Sequence, residues 1–148
     1  MEEIINKLDR EGLKVASISK RIVAMGIDDF LISFLVVIAF IDKFQVAKSY
    51  EEVLLLTNSL FSYIFIAYTI YHWIFVSLYG KTIGKMVVKI RVVDINSLDN
   101  PNFLNSFIRS LVRNFSEMFF YLGMLYAFVD PLNRAIHDIV GKCVVIEE

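Results

Sequence analysis

The chain has 148 residues and a formal net charge of −1, and 57% of its residues are apolar, including 13 Phe and 7 Tyr. That apolar share exceeds the roughly 45–50% of ordinary globular proteins, and the near-zero charge leaves no global field to attract nucleic acid or an acidic substrate. Cys143 is the only cysteine, which excludes an internal disulfide and any multi-cysteine metal site.

Residues 1–20, MEEIINKLDREGLKVASISK, mix charges and lack the apolar run of roughly 7–15 residues that a cleavable signal peptide needs. Insertion then relies on internal segments. The chain reads as an integral membrane protein, with residues 1–16 as a cytoplasmic N-terminal segment. The first span is Ile22 to Ile41. Twenty residues at about 1.5 Å each give roughly 30 Å of helix, the thickness of the hydrocarbon layer.

Asp28 and Asp29 stand side by side within that span. A charge near the centre of a spanning helix costs roughly 2.5–3.5 kcal/mol on insertion scales. Such acids normally face protein or water and find a partner. Arg21, seven residues before Asp28, points nearly the same way at about 100° per residue. Adjacent carboxylates also repel, which favours sharing a proton or a cation.

After the polar connector DKFQVAKSYEE, the second span lies within Val53 to Tyr79. It is longer than a bilayer requires, so it tilts or begins outside the core. Tyr71, Trp73 and Tyr79 are placed for an interfacial aromatic belt, and His72 between them reads as an interfacial polar residue. In GKTIGKMVVKIRVVDINSLDN, Gly80 and Gly84 end the helix and Met86 to Val93 reads as a strand. Lys89 and Arg91 mark one face of that strand, and Val88, Ile90 and Val92 the other. The loop is not a phosphate-binding one. That motif needs Gly-x4-Gly-Lys-Ser/Thr opening a helix, whereas this spacing leaves a helix for a strand. Lys81, Lys85 and Lys89 instead suit anionic lipid, at about 1 kcal/mol each.

NSLDNP is a turn signal. From Phe103 to Val129 the chain is again apolar, interrupted by Arg109, Arg113 and Glu117 at a spacing of four, on one helical face. This predicts an amphipathic interfacial helix running into MFFYLGMLYAFV, whose 12 residues are too few to cross a bilayer alone. The tail ends in a strand from Cys143 to Ile146. If the third hydrophobic piece turns back as a hairpin, that strand can pair with Met86 to Val93 and relieve two lone edges. A third full span is the alternative. Basic residues crowd residues 7–21 and 81–113, against Lys43 and Lys48 in the first connector, which places the N-terminus inside.

The acids of the first span call for cations from elsewhere, and Arg109 and Arg113 are the candidates. Two roles remain open for the cluster. It can lock one helix to another, or it can bind a proton or monovalent cation on a transport path, with Arg21, Arg109 and Arg113 tuning Asp28. His137 beside Asp138 is either a proton relay or, the preferred reading, a polar anchor for the C-terminal segment. Two distant histidines make no metal signature, no nucleophile–base pair is evident, and no cofactor is implied. The chain does not read as an enzyme. Burying Asp28 completely in so small a unit favours a symmetric homodimer.

Three motifs in order carry a family likeness. The spacing of Arg21, Ala24, Ile27 and Asp28 resembles the first helix of the RDD family, membrane proteins named for one arginine and two aspartates. GKTIGKMVVKIRVVD resembles that family's Gly-x-Thr-x-Gly-Lys loop and valine-rich strand, through Gly80, Thr82, Gly84 and Lys85. RAIHDIVGKCVVI resembles its C-terminal His-Asp and Gly segment. The likeness implies that Arg21 and Asp28 are the family's arginine and first aspartate, and Asp138 its second. Ile83 replaces a common proline, Lys142-Cys143 a common threonine, and Asp29 is an addition. The resemblance implies one membrane domain over residues 17–146 of a multi-pass cell-membrane protein. The fold class expected is all-α, with two full transmembrane helices, a third membrane-embedded segment or hairpin and a small cytoplasmic two-stranded β element. The family resemblance implies transport of an unidentified ligand, and the residues leave open transport of an ion or small solute or, alternatively, a non-catalytic accessory module.

Overall fold

The computed structural model describes residues 2–47 and 49–148; Lys48, assigned to the first connector from sequence, lies outside the described residues. A short helix α1 (Glu2–Arg10) precedes two long ones, α2 (Ile18–Val46) and α3 (Tyr50–Tyr79). Both long helices overrun the spans expected from hydropathy, because hydropathy marks only the apolar stretch and capping decides where the helix stops. Ser17 caps α2 by accepting from the Lys20 amide, and Ser49 caps α3 by accepting from the Glu52 amide. Glu51 and Glu52 in the first turn of α3 face the positive end of its dipole. Gly80 closes α3 at φ +68°, where a Cβ would lie 2.4 Å from Asn100 Oδ1. Glycine is favoured there by the left-handed backbone, and a Cβ would also displace the Asn100 side chain.

Of the residues of α2, only Arg21, Ala24, Asp28 and Ile32 are buried. They recur every three or four positions and form one stripe. Phe30 is 73% exposed, Val46 72% and Leu55 of α3 67%. A soluble protein buries the apolar face of a helix and exposes the polar one. Here the narrow buried stripe holds the charges and the apolar remainder faces outward. Among the described residues, α2 and α3 are the two helices long and apolar enough to cross a membrane.

The expected strand from Met86 starts late. Residues Ile83–Val87 form a short helix α4, and strand β1 covers Ile90–Asp94. The β preference of the valines gives way to a tertiary contact. The Gly84 amide donates to Asp28, and a Cβ at Gly84 would stand 2.1 Å from the Ala24 carbonyl oxygen. This close seat on α2 holds a helical turn, and Lys89 at φ 55° then turns the chain into β1. Gly84 thus seats the loop and does not end α3. The expected pairing with the tail is present. Strand β2 (Cys143–Glu147) runs antiparallel to β1, from Ile90 opposite Glu147 to Asp94 opposite Cys143.

Both faces of this small sheet are covered. Ile90, Val92 and Val145 pack with Ala16, Ala24 and Val76 on one side, and Val93, Val144 and Ile146 pack with Leu8 and Leu132 on the other. Each fully buried Val, Ile or Leu contributes about 1.5–3 kcal/mol. Leu8 brings α1 onto the sheet, and Val15 bridges Ile146 on the free edge of β2. Residues 2–16 are therefore packed into the same unit as the sheet.

Helix α5 (Phe103–Met118) is capped by Asn102, whose side chain accepts from the Asn105 amide at 2.7 Å. Its amphipathic face is turned inside out. Ser106, Arg109, Ser110, Arg113 and Asn114 are buried, whereas Phe103, Leu104, Phe115 and Met118 are exposed. The chain reverses at Phe120 and Tyr121, both with positive φ. A four-residue helix α6 (Leu122–Leu125) and a single 3-10 turn follow. A third helix of spanning length is not formed among the described residues. Loop residues Asp130 and Arg134 pair at 2.9 Å before α7 (Ile136–Val140) leads into β2.

Candidate functional site

Two fully buried carboxylates organise the interior, and they are held in different ways. Asp28 on α2 is 0% exposed. Its Oδ1 accepts from the Tyr71 hydroxyl at 2.8 Å and the Gly84 amide at 2.8 Å, and its Oδ2 from the Thr82 hydroxyl at 2.6 Å. The Tyr71 oxygen in turn accepts from the Ile83 amide at 3.0 Å. One carboxylate therefore joins α2, α3 and the 82–84 loop. Arg109 and Arg113, expected here, do not hydrogen-bond to it. A helix carries Arg21 about 10 Å away from Asp28 over seven residues, and the α5 arginines meet other acids first.

Asp138, at the start of α7, holds the arginines. Its Oδ1 accepts from Arg109 Nε at 2.9 Å and Nη2 at 2.7 Å, and its Oδ2 accepts from Arg21 Nη2 and the Ala135 amide. Arg21 also donates through Nη1 to the Asn133 carbonyl at 2.7 Å. Burial alone would raise the Asp138 pKa, but the guanidiniums of Arg21 and Arg109 outweigh it and hold the carboxyl well below its ordinary range. Arg21, Asp28 and Asp138, the three residues that the resemblance singles out, thus sit in one interior. Arg21 serves Asp138, and Asp28 stands apart from both.

Asp29 is no isolated addition. It accepts from the Tyr68 hydroxyl and the Tyr121 hydroxyl, each at 3.0 Å, and lies 3.8 Å from Arg113 Nη2. Its side chain is 26% exposed, so unlike Asp28 it keeps contact with the surroundings. Arg113 donates through Nε to Glu117 at 2.6 Å and meets His72 Nδ1 through Nη1 at 2.8 Å. Arg109, Arg113 and Glu117 do share one face of α5, as their spacing predicts.

Several placements correct the sequence reading. Tyr71 and His72 are not belt residues. Tyr71 binds Asp28, and His72 is 0% exposed beside Arg113. Trp73 packs its ring on Phe103 and Phe107 and donates to the Phe103 carbonyl at 2.9 Å. Lys85, assigned to a lipid-facing turn, is buried, with Nζ 3.5 Å from the Thr82 hydroxyl. Lys81 pairs with Glu148 at 2.6 Å. Because Asp28 is covered within one chain, its burial gives no reason for a second copy. The partners that sequence reasoning missed, Tyr68, Tyr71 and His72, recur at three- and four-residue steps. That spacing marks one face of α3, but aromatic residues there also fit a belt.

Lys85 is the electrostatic exception. Burial is the largest cause pushing its pKa down, Arg113 and Arg109 add to it, Asp28 opposes, and the result is about 7. His137 is likewise driven well below its ordinary value by burial, with Asp138 opposing. Its Nε2 lies 3.5 Å from Asp138 Oδ1, so it accompanies the ion pair as a buried polar residue. Among the described residues no group of three metal-ligating side chains is assembled.

A family model described as RDD family matches residues 15–142. No curated protein and no solved structure matches the chain.

Proposed function

The chain belongs to the RDD family of membrane proteins, and from that premise we propose that it is a non-catalytic membrane module whose buried Asp/Arg cluster clamps its helices together. In this reading α2 and α3 span the cell membrane with the N-terminus and the two-stranded sheet on the cytoplasmic side, and the outward apolar face of α5 beds the third hydrophobic segment into the lipid. The module presents a rigid membrane surface to a larger assembly.

The observation that carries the reading is the saturation of the two buried acids. Asp28 takes three donors and Asp138 takes four, drawn from different parts of the fold. A carboxylate that must capture and release a cargo cation needs open coordination positions, and these acids leave few. Their hydrogen bonds instead join segments far apart in sequence, which is what a clamp requires.

The rival reading, transport of a proton or monovalent cation through the cluster, has one observation in its favour. Lys85, beside the Thr82 hydroxyl that binds Asp28, has a pKa near 7 and so exchanges protons in the physiological range. Proteoliposomes holding the wild-type protein and a pH gradient separate the two. A clamp gives sodium and potassium leaks equal to those of empty vesicles. A pH-driven cation flux that disappears in a well-folded Asp28→Asn variant would replace the clamp by a transporter.

A further inference from the structure

A small cavity lies where α2, α4, α5, α6 and α7 converge. It is lined by Arg21, Lys85, Arg109, Arg113 and His137, together with Met25 and Met124, and its volume is about 20 Å³. We propose that this cavity binds one small monovalent inorganic anion of halide size. The site lies beyond the clamp, which explains the acids but not what the ring of cations encloses.

Unsatisfied donors point to a guest. Arg109 is 1% exposed and Arg113 3% exposed, yet among the described residues Arg109 Nη1 has no hydrogen-bond partner and Arg113 Nη2 has only a 3.8 Å contact with Asp29. Arginine is always protonated, and each of these nitrogens is a donor. Leaving a buried charged donor without a hydrogen bond is costly, and both arginines line this cavity, so an acceptor inside it would be favoured. His137 Nδ1, on the same wall, is also without a partner.

Charge and size then identify the guest. The neighbouring acids are Asp138, Asp28, Asp29 and Glu117, and none of them lines the cavity. Asp138 is one negative charge divided between Arg21 and Arg109. Glu117 is held by Arg113, Asp28 by neutral donors and a backbone amide, and Asp29 sits at the partly exposed edge. About 20 Å³ is room for one water-sized guest. Water would also accept from the arginines, but it carries no charge to set against theirs. A halide accepts from every side and donates nothing.

Lys85 couples the site to pH. Its neutral form prevails above about 7, and an anion in the cavity favours the protonated form. Halide therefore binds tighter as pH falls, and Lys85 takes up a proton with it. If the charged amine is required, affinity falls about tenfold from pH 6 to pH 8.

The test uses the full chain in detergent, in gluconate buffer at fixed ionic strength, with chloride, bromide, sulfate and phosphate as probes. Chloride and bromide are expected to raise the melting temperature saturably at pH 6, more weakly at pH 8, while sulfate and phosphate give no saturable shift. Lys85→Met is expected to bind bromide at least tenfold more weakly at pH 6 and to lose the difference between pH 6 and pH 8. If that variant does not fold, anomalous diffraction from wild-type crystals grown in bromide decides, with a peak in the cavity expected. Equal shifts with all four anions, or bromide crystals with only water between Arg109 and Arg113, would overturn the proposal. An intact clamp with no halide effect leaves the structural role of Asp28 and Asp138 standing and removes only the anion.

Discussion

Asp28 and Asp138 are equally hidden, but one is stabilised by neutral donors and the other by two guanidiniums. Asp28 sits within α2 among hydroxyls and a backbone amide, dipoles that hold the charge without bringing formal counter-charges. Asp138 sits at the start of α7, where Arg21 and Arg109 arrive from two other helices. The difference teaches that the acids are not interchangeable. Removing Asp28 leaves neutral groups short of an acceptor, whereas removing Asp138 leaves two buried cations without their anion.

The comparison is broken most severely at Asp138. Asp138→Asn is expected to cost about 3–5 kcal/mol, the scale for breaking a buried ion pair from one side. Size-exclusion profiles and thermal unfolding in detergent would register it as loss of monodisperse protein. Asp28→Asn keeps a carbonyl acceptor and loses one charge, so about 1–3 kcal/mol is expected. If the two variants melted together, the distinction between dipolar and ionic support would be wrong.

A pH series sharpens the contrast further. Lys85 has its folded pKa lowered to about 7, so between there and the ordinary lysine value the unfolded chain binds the extra proton. Stability in halide-free buffer is therefore expected to rise with pH over that window. Lys85→Met should flatten the rise, which denaturation midpoints at neutral and alkaline pH would reveal. The smallest effect belongs to Asp29. Tyr121→Phe removes a 3.0 Å bond to a partly exposed acid, and less than about 1 kcal/mol is expected in the same melts.

The elements were legible where local chemistry decides them. The two spans follow from apolar length, the α3 stop from Gly80, and the pairing of β1 with β2 from two valine-rich runs. The common face of Arg109, Arg113 and Glu117 follows from helical period. What escaped was decided by contacts between distant segments. The run MVVKI favours a strand, yet the Gly84 amide reaching Asp28 makes its start a helical turn. Arg109 carries no mark that tells Asp138 from Asp28, because the choice depends on where α7 docks. Tyr71 and His72 looked like belt residues because an aromatic cluster near a helix end has the same composition whether it faces headgroups or a buried acid.

The ion pair between Arg21 and Asp138 joins residues 117 positions apart in sequence. During synthesis the guanidinium leaves the ribosome long before its counter-ion exists, and Arg109 also precedes Asp138. The pair is therefore still open while α2 and α3 are being made, and the interior becomes electrically complete only when α7 arrives. Completion of the interior is thus ordered along the chain, and docking of the C-terminal segment is the event that seals the protein.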